Sequence, residues 1–170
     1  MTDSVLTRLF VALRGVTFAA AFVALWASLA VAARRMDPRW QAALPAWLQV
    51  PGLVVAVAGA ALCAWCVALF VTRGRGTPAP FDPPLEFVAV GPYRWVRNPM
   101  YLGGFGVLLG AGLVLRSPSI VALAGAFLLL FHLFVVLYEE HALAARFGDP
   151  YQRYRAQVHR WLPSRPSRRL

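Results

Sequence analysis

The chain has 170 residues, 59% of them hydrophobic and only 14% charged, and its mean hydropathy is +0.59. About a quarter of a soluble domain is charged, so the composition excludes an ordinary water-soluble fold and makes lipid the solvent of a single membrane domain. The net charge of +10 comes from seventeen arginines and no lysine; these flank apolar runs without forming a separate basic patch, which points to headgroups and cytoplasmic loops and away from nucleic acid.

Taken in order, Met1 to Arg8 is a short polar head, and Leu9 to Ala33 reads as a first membrane helix with Arg14 snorkelling near its entry. About 20 helical residues cross a bilayer core, and Gly15 to Ala33 supplies nineteen. No secretory cleavage site is apparent, because Arg34-Arg35 follows this run where small residues would be needed. Arg34 to Gln49, with Trp40 and Trp47, is interfacial. Val50 to Thr72 is a second helix with Pro51 in its first turn. Cys63 and Cys66 lie within it, far from acidic or histidine neighbours, and read as small buried hydrophobes; no metal site is expected.

Thr77 to Pro84 holds four prolines in eight residues, which favours an extended path. It is either a rigid linker or a strap over a ligand. Met100 to Leu115, opened by Pro99, is a third helix of sixteen residues, about 24 Å long and short for a full crossing. Gly103, Gly106 and Gly110 recur on one side of it and allow a close partner. Ser117 is an expected N-cap, with Pro118 at the first position of a fourth helix. That helix covers Ile120 to Tyr138 and runs on to Phe147, with Gly148 as its C-terminal cap. Asp149-Pro150 starts a last helix ended by Pro163, amphipathic and interfacial, with Tyr151, Tyr154, Val158 and Trp161 on its apolar face. Ser164 to Leu170 is a basic tail. With four crossings, twelve arginines fall on one side and four on the other, Arg14 set aside. Both termini and the loop before the third helix are therefore expected in the cytoplasm.

That loop is the least membrane-like stretch of the chain. Gly91 to Gly104 carries two prolines, three glycines, two arginines and three aromatics at a membrane edge. Arginines are costly wherever water does not reach, and an ordinary loop has no need of Tyr93, Trp95 and Tyr101 spaced among them. A hairpin of the third and fourth helices sets Arg97 beside Glu139-Glu140. Ala122, Gly125, Ala126, Leu129, Leu133 and Val136 form a small, apolar stripe expected to face the third helix, with Glu140 on it. Adjacent helical residues point about 100° apart, so Glu139, which shares a face with Leu128 and His132, is expected either behind the site's contact residues or at its rim. His132 reads as a neutral packed histidine. Arg97 suits a carboxylate, Glu140 an ammonium, and the aromatics a sulfonium or adenine. A plain Arg97–Glu140 salt bridge bracing the hairpin is the competing reading.

Gly91-Pro-Tyr-Arg-x-Val-Arg-x-Pro-x-Tyr-x-Gly, Glu139-Glu140, Phe147-Gly148-x-x-Tyr151-x-x-Tyr154 and Trp161-Leu162-Pro163 together resemble the isoprenylcysteine carboxyl methyltransferase and phospholipid methyltransferase superfamily. The resemblance covers about Gly74 to Pro163. It implies an all-α integral membrane bundle of about four helices, with a two-helix N-terminal part (1–72), a methyltransferase core (73–163) and a tail (164–170). It implies an enzyme of the bacterial inner membrane that uses S-adenosylmethionine on the cytoplasmic side, with a lipid or other amphiphile as acceptor. Carried over by position, Tyr93, Arg97, Asn98, Tyr101, Glu139 and Glu140 bind the cofactor. Arg94, Glu139 and Glu140 are the candidate catalytic residues, Arg94 orienting a carboxylate acceptor and the glutamates deprotonating an amine or thiol.

Arg97-Asn98-Pro99 departs from the Arg-His-Pro of the prenylcysteine enzymes, which leaves the acceptor open. The same C-terminal motifs resemble the NADPH-dependent sterol reductases, and a non-catalytic scaffold is the third reading. The acceptor is expected to enter from lipid between the third helix and a neighbour, where the glycines leave little bulk.

Overall fold

The computed structural model describes residues 5–40, 43–74 and 88–164. The proline-rich stretch Thr77–Pro84 and the tail after Ser164 lie outside them. Among the described residues all regular structure is helical: α1 (Val5–Arg34), α2 (Gln49–Leu69), α3 (Pro99–Val114), α4 (Pro118–Phe134), α5 (Glu140–Phe147) and α6 (Asp149–Gln157), besides short single turns. A π turn, Val135–Glu139, joins α4 to α5, and another, Phe70–Gly74, ends α2. Three continuous stretches are long and apolar enough to cross a bilayer, Leu13–Arg39, Ala46–Arg73 and Pro118–Phe147; α3, with 16 residues, is the shorter fourth.

The helices pack in the spatial order α2, α3, α4, α1. Glycine decides the first contact. A Cβ added at Gly110 would lie 2.5 Å from Ala56 N and Gly52 O, and one at Gly59 would lie 2.6 Å from Gly103 O. The two backbones touch along Gly52, Ala56, Gly59 and Cys63 on α2 and Gly103, Gly106 and Gly110 on α3, a small-residue seam of the kind that lipid-embedded helices use where dispersion drives association. The close partner expected of α3 is therefore α2. The groove expected along those glycines for a lipid acceptor is filled by that helix.

On its other side α3 meets α4 through Gly104, whose Cβ would lie 2.8 Å from the Phe127 ring, and Gly112, whose Cβ would lie 2.8 Å from Val121. The first helix closes the row: Trp26 meets Phe127 edge-on with ring centroids 4.7 Å apart, and Phe22 lies 5.9 Å from Phe131. Aromatic pairs of this kind add about 0.5–1.5 kcal/mol beyond area burial.

The face that α4 turns inward differs from the one expected. Ile120, Ala124, Phe127 and Val135 are buried, whereas Ala122, Gly125, Ala126, Leu129 and Leu133 face outward. The Phe127 ring fills the space that Gly104 leaves on that side of α3, and in lipid an outward apolar stripe carries no penalty. Glu140 turns inward all the same. From Val135 an unbroken α-helix would bring Tyr138 to the core side; instead Tyr138 points out, and Glu140, five residues on, is 5% exposed. The π turn supplies the extra residue.

The turn between α3 and α4 is pinned to the segment after α1. Arg116 N–H donates to Leu113 O at 3.2 Å and Ser117 N–H to Gly112 O at 2.8 Å, the paired bonds of a Schellman cap. Arg116 occupies its left-handed position at φ 55° and sends Nε to Leu44 O at 2.7 Å. Ser117 caps α4 through Ile120 N–H at 3.2 Å, as the sequence suggests, and Asp37 takes Ser119 N–H at 3.0 Å.

Candidate functional site

The opposite end of the bundle gathers the motif residues. Gly91, at φ +58°, starts a 3-10 turn over Gly91–Arg94 against Leu69, and Asn98-Pro99 then opens α3. This turn puts Tyr93, Val96, Asn98 and Pro99 inside, while Trp95 faces out. The Tyr93 ring sits edge-on to Phe70 in a core with Cys66, Leu62, Val88 and Met100. Burial, then the Cys66 sulfur beside it, pushes its hydroxyl well above the usual range. Cys66 is thereby absorbed as a packing residue.

Both glutamates face the protein, toward different partners, as their 100° separation requires. Tyr101 OH donates to Glu139 Oε2 at 2.8 Å, and its ring stacks on Phe131 at 4.6 Å. Glu140 receives arginines. Arg160 forks onto it, Nε to Oε1 at 2.6 Å and NH2 to Oε2 at 3.1 Å. Arg97 NH1 stands 3.1 Å from Oε1, and Arg155 Nε 3.7 Å from Oε2. The side chains of Arg97 and Glu140 are 10% and 7% exposed, so this charge pair is sheltered from water. Its close geometry matters, because desolvation can otherwise exceed the attraction. The Arg97 contact is one of charge without a well-directed hydrogen bond: its Nε and NH1 are buried with no hydrogen-bond partner among the described residues. Buried donors are rarely left so.

The last segment folds back over this cluster. The α6 helix ends at Gln157, earlier than the Pro163 stop the sequence suggests, and Val158 is extended at φ −114°, ψ 125°. The reason lies in its partners. His159 O accepts from Arg97 N–H at 2.9 Å, Arg160 O from Asn98 Nδ2 at 3.2 Å, and Trp95 O from Ser164 N–H at 2.7 Å. Trp161 Nε1–H donates to His132 Nδ1 at 3.0 Å, which ties the returning segment to α4.

The apolar face of α6 is likewise covered by protein, not lipid. Tyr151, Tyr154 and Val158 pack on Ala89, Leu143, Ala144 and Phe147, and Tyr154 OH donates to Tyr93 O at 2.7 Å. Burial raises the Tyr154 and Tyr151 hydroxyls above their usual range; the charge of Glu140 adds to the rise at Tyr151 and Arg97 opposes it. The bond to Glu140 raises Arg160. Gly148, at φ 55°, ψ −132°, ends α5, with its N–H on Ala144 O.

Arg97, Glu140, Glu139 and Tyr101 thus come together as the sequence suggests, with Asn98 anchoring the returning segment behind them. Tyr93 contributes its carbonyl to that anchoring and its ring to the core, and Arg94 is half-buried on the same turn. Sequence reasoning missed Arg155 and Arg160. Helical periodicity puts both on the polar side of an amphipathic helix; the Trp161-Leu162-Pro163 motif beside Arg160 was the available signal.

Three comparisons bear on this end of the molecule. The protein is 27% identical over 147 residues to the nickel-cobalt-cadmium resistance protein NccN of Alcaligenes xylosoxydans xylosoxydans, covering 86% of this chain and 62% of that protein. Its fold is similar to that of the eukaryotic intramembrane Ras methyltransferase, isoprenylcysteine carboxyl methyltransferase, with TM-score 0.54 and 27% identity over 85% of this chain and 51% of the other. The chain therefore spans about three-fifths of that curated relative and half of that solved structure. The model of the phospholipid methyltransferase family matches residues 50–150, which include α2, the glycine seam, the Gly91–Gly104 stretch and both glutamates. On that match, the chain belongs to the phospholipid methyltransferase family, a family of membrane methyltransferases.

Proposed function

We propose that the protein transfers a methyl group from S-adenosylmethionine to an amphiphilic acceptor, working from the cytoplasmic face of a bacterial inner membrane. The observation that carries this reading is the buried Arg97–Glu140 pair, whose guanidinium keeps two donor atoms unanswered. Buried donors are seldom left without a partner, and a charged donor is costlier to leave so than a neutral hydroxyl such as Ser119 Oγ. These residues fit the cofactor by chemistry. Arg97 offers a fork to a carboxylate, Glu140 a counter-charge to an ammonium, and the Tyr101–Phe131 stack a π face to a sulfonium or a base. When bound, S-adenosylmethionine supplies a methyl carbon activated by a positive sulfur.

The residues of the chain then have three tasks. Arg97, Glu140 and the returning segment His159–Ser164 hold and cover the polar end, keeping water from the reacting groups. Glu139, oriented by Tyr101, stands where it can accept a proton from an amine or thiol acceptor. Arg94 can orient a carboxylate acceptor, for which no base is needed. The twelve-to-four arginine asymmetry supports the cytoplasmic placement.

The acceptor enters from lipid at the Phe134–Tyr138 end of the aromatic side of α4, because Trp26 and Phe22 of α1 cover Phe127 and Phe131. Phe127, Phe131, Phe134 and Tyr138 follow one another with centroid spacings of 4.5, 6.4 and 5.4 Å. This ladder leads from the outward-facing Tyr138 to the Tyr101–Glu139 pair. Purified protein in nanodiscs should bind S-adenosylmethionine, not NADPH, and should pass labelled methyl to a chloroform-soluble product from its own membranes. Binding of NADPH alone would favour a reductase, and binding of neither a scaffold. Across acceptors differing only in alkyl length, assayed below micelle formation, affinity should rise about fourfold per methylene, the equivalent of about 0.8 kcal/mol. Best activity on the shortest member would end the idea of entry from lipid.

A further inference from the structure

One carboxylate here faces three guanidinium groups. Glu140 is met by Arg160 at 2.6 Å, Arg97 at 3.1 Å and Arg155 at 3.7 Å. Its neighbour Glu139 is held by the Tyr101 hydroxyl. The Arg160 fork makes one bond to each oxygen of the Glu140 carboxylate, and each oxygen keeps a further lone pair. Arg97, nine-tenths buried, lies close to Glu140 yet keeps Nε and NH1 without a hydrogen-bond partner among the described residues.

The backbone fixes the arrangement. Arg97 N–H is bonded to His159 O and Asn98 to Arg160 O, so the two guanidinium groups are set side by side by the chain itself. Arg155, 47% exposed, stands at the watery edge. Positive charges gathered in a sheltered place repel one another unless an anion joins them.

We infer that Arg97, Arg155 and Arg160 form an anion subsite beside Glu140 that takes a carboxylate or phosphate group of a ligand. In this subsite Arg160 has two tasks: it positions Glu140 through its fork, and with Arg155 it forms the side of the subsite that opens to water. The inference rests on the methyltransferase reading only for the source of the anion. A carboxylate would come with the cofactor, and a phosphate with a lipid acceptor's headgroup.

The test uses the full chain in nanodiscs of neutral lipid, with inorganic phosphate as the first probe. At matched ionic strength, phosphate should raise the melting temperature of the wild type above its value in chloride. The rise should be absent in Arg160→Gln and reduced in Arg155→Gln, an edge change that leaves the Arg160 fork intact. Two further arms separate the sources. If the anion is the cofactor's carboxylate, S-adenosylmethionine should outbind its decarboxylated analogue by roughly tenfold or more, the range for a charged hydrogen bond, and both variants should narrow that ratio. If it is a headgroup phosphate, dihexanoyl phosphatidic acid should protect the wild type and not the variants, with the cofactor ratio unmoved.

Phosphate protection in a wild type that binds no S-adenosylmethionine would keep the anion subsite and overturn the methyltransferase reading. Methyl transfer with no anion arm sensitive to Arg155 or Arg160 would keep that reading and overturn the subsite. Should Arg160→Gln fail to fold, Arg160→Lys, which keeps the charge and loses the fork, and Arg155→Gln decide the same question.

Discussion

The two ends of the bundle bury their polar groups in different ways. At the α3–α4 turn, each named donor meets a nearby acceptor: Arg116 meets Leu44 O, Ser119 N–H meets Asp37, and Ile120 N–H meets Ser117. Gln49 joins the row through Val114 O at 3.0 Å, and Ser119 Oγ is left buried there without a hydrogen-bond partner among the described residues. At the other end a single buried glutamate answers three arginines, and donor atoms of Arg97 are left over. The group left over at the first end is a neutral hydroxyl; at the second it is charge, which is what the proposed ligand would answer.

This contrast predicts different responses to removing a carboxylate. Glu140→Ala leaves three guanidinium groups facing one another in a sheltered site, and the cost should be about 3–5 kcal/mol, the range for breaking a buried ion pair. Asp37→Ala removes one cap acceptor from the first turn of α4, where about 1 kcal/mol is expected. Melting of both variants in nanodiscs checks the ranking. Equal losses would show that the two ends are held in the same way.

A smaller effect, of unusual sign, concerns the π turn. Deleting Leu137, which is 72% exposed, should turn Val135–Glu139 into ordinary helix and keep Glu140, Leu143 and Phe147 on their present faces. Melting temperature and cofactor affinity should stay near wild type. Deleting Ala142, beyond the turn, rotates Leu143 and Phe147 by about 100° and should disrupt the packing of α6. A severe loss on deleting Leu137 would show that the bulge itself is needed.

Much of this was legible in the sequence, and the failures have physical causes. The four apolar runs, Pro99 and Pro118 at helix starts, and the Ser117 and Gly148 caps follow from hydropathy and turn chemistry, which act locally. The seam of Gly103, Gly106 and Gly110 was legible as a close contact, but its partner was not, because helix order is a property of the whole bundle. The inward face of α4 was misassigned because, in lipid, small and apolar residues can face either way, so amphipathicity no longer marks the core. Glu140 was placed inward from the wrong stripe, and the π turn made the outcome right for another reason. Arg160 was missed because its role depends on a chain reversal after Gln157 that is held by long-range backbone bonds. Helical periodicity carries no trace of such bonds.

The central claim is that the charged end holds a ligand and does not merely brace the α3–α4 hairpin. Equilibrium binding of S-adenosylmethionine to wild type, Arg97→Gln and Glu140→Gln in nanodiscs, with melting followed on the same samples, tests it most directly. The account predicts measurable binding by the wild type and a loss of roughly 10- to 100-fold in each variant, equivalent to about 1.5–3 kcal/mol for a charged hydrogen bond. Unchanged affinity in both variants, together with lowered melting temperatures, would contradict it and leave Arg97 and Glu140 as a structural salt bridge.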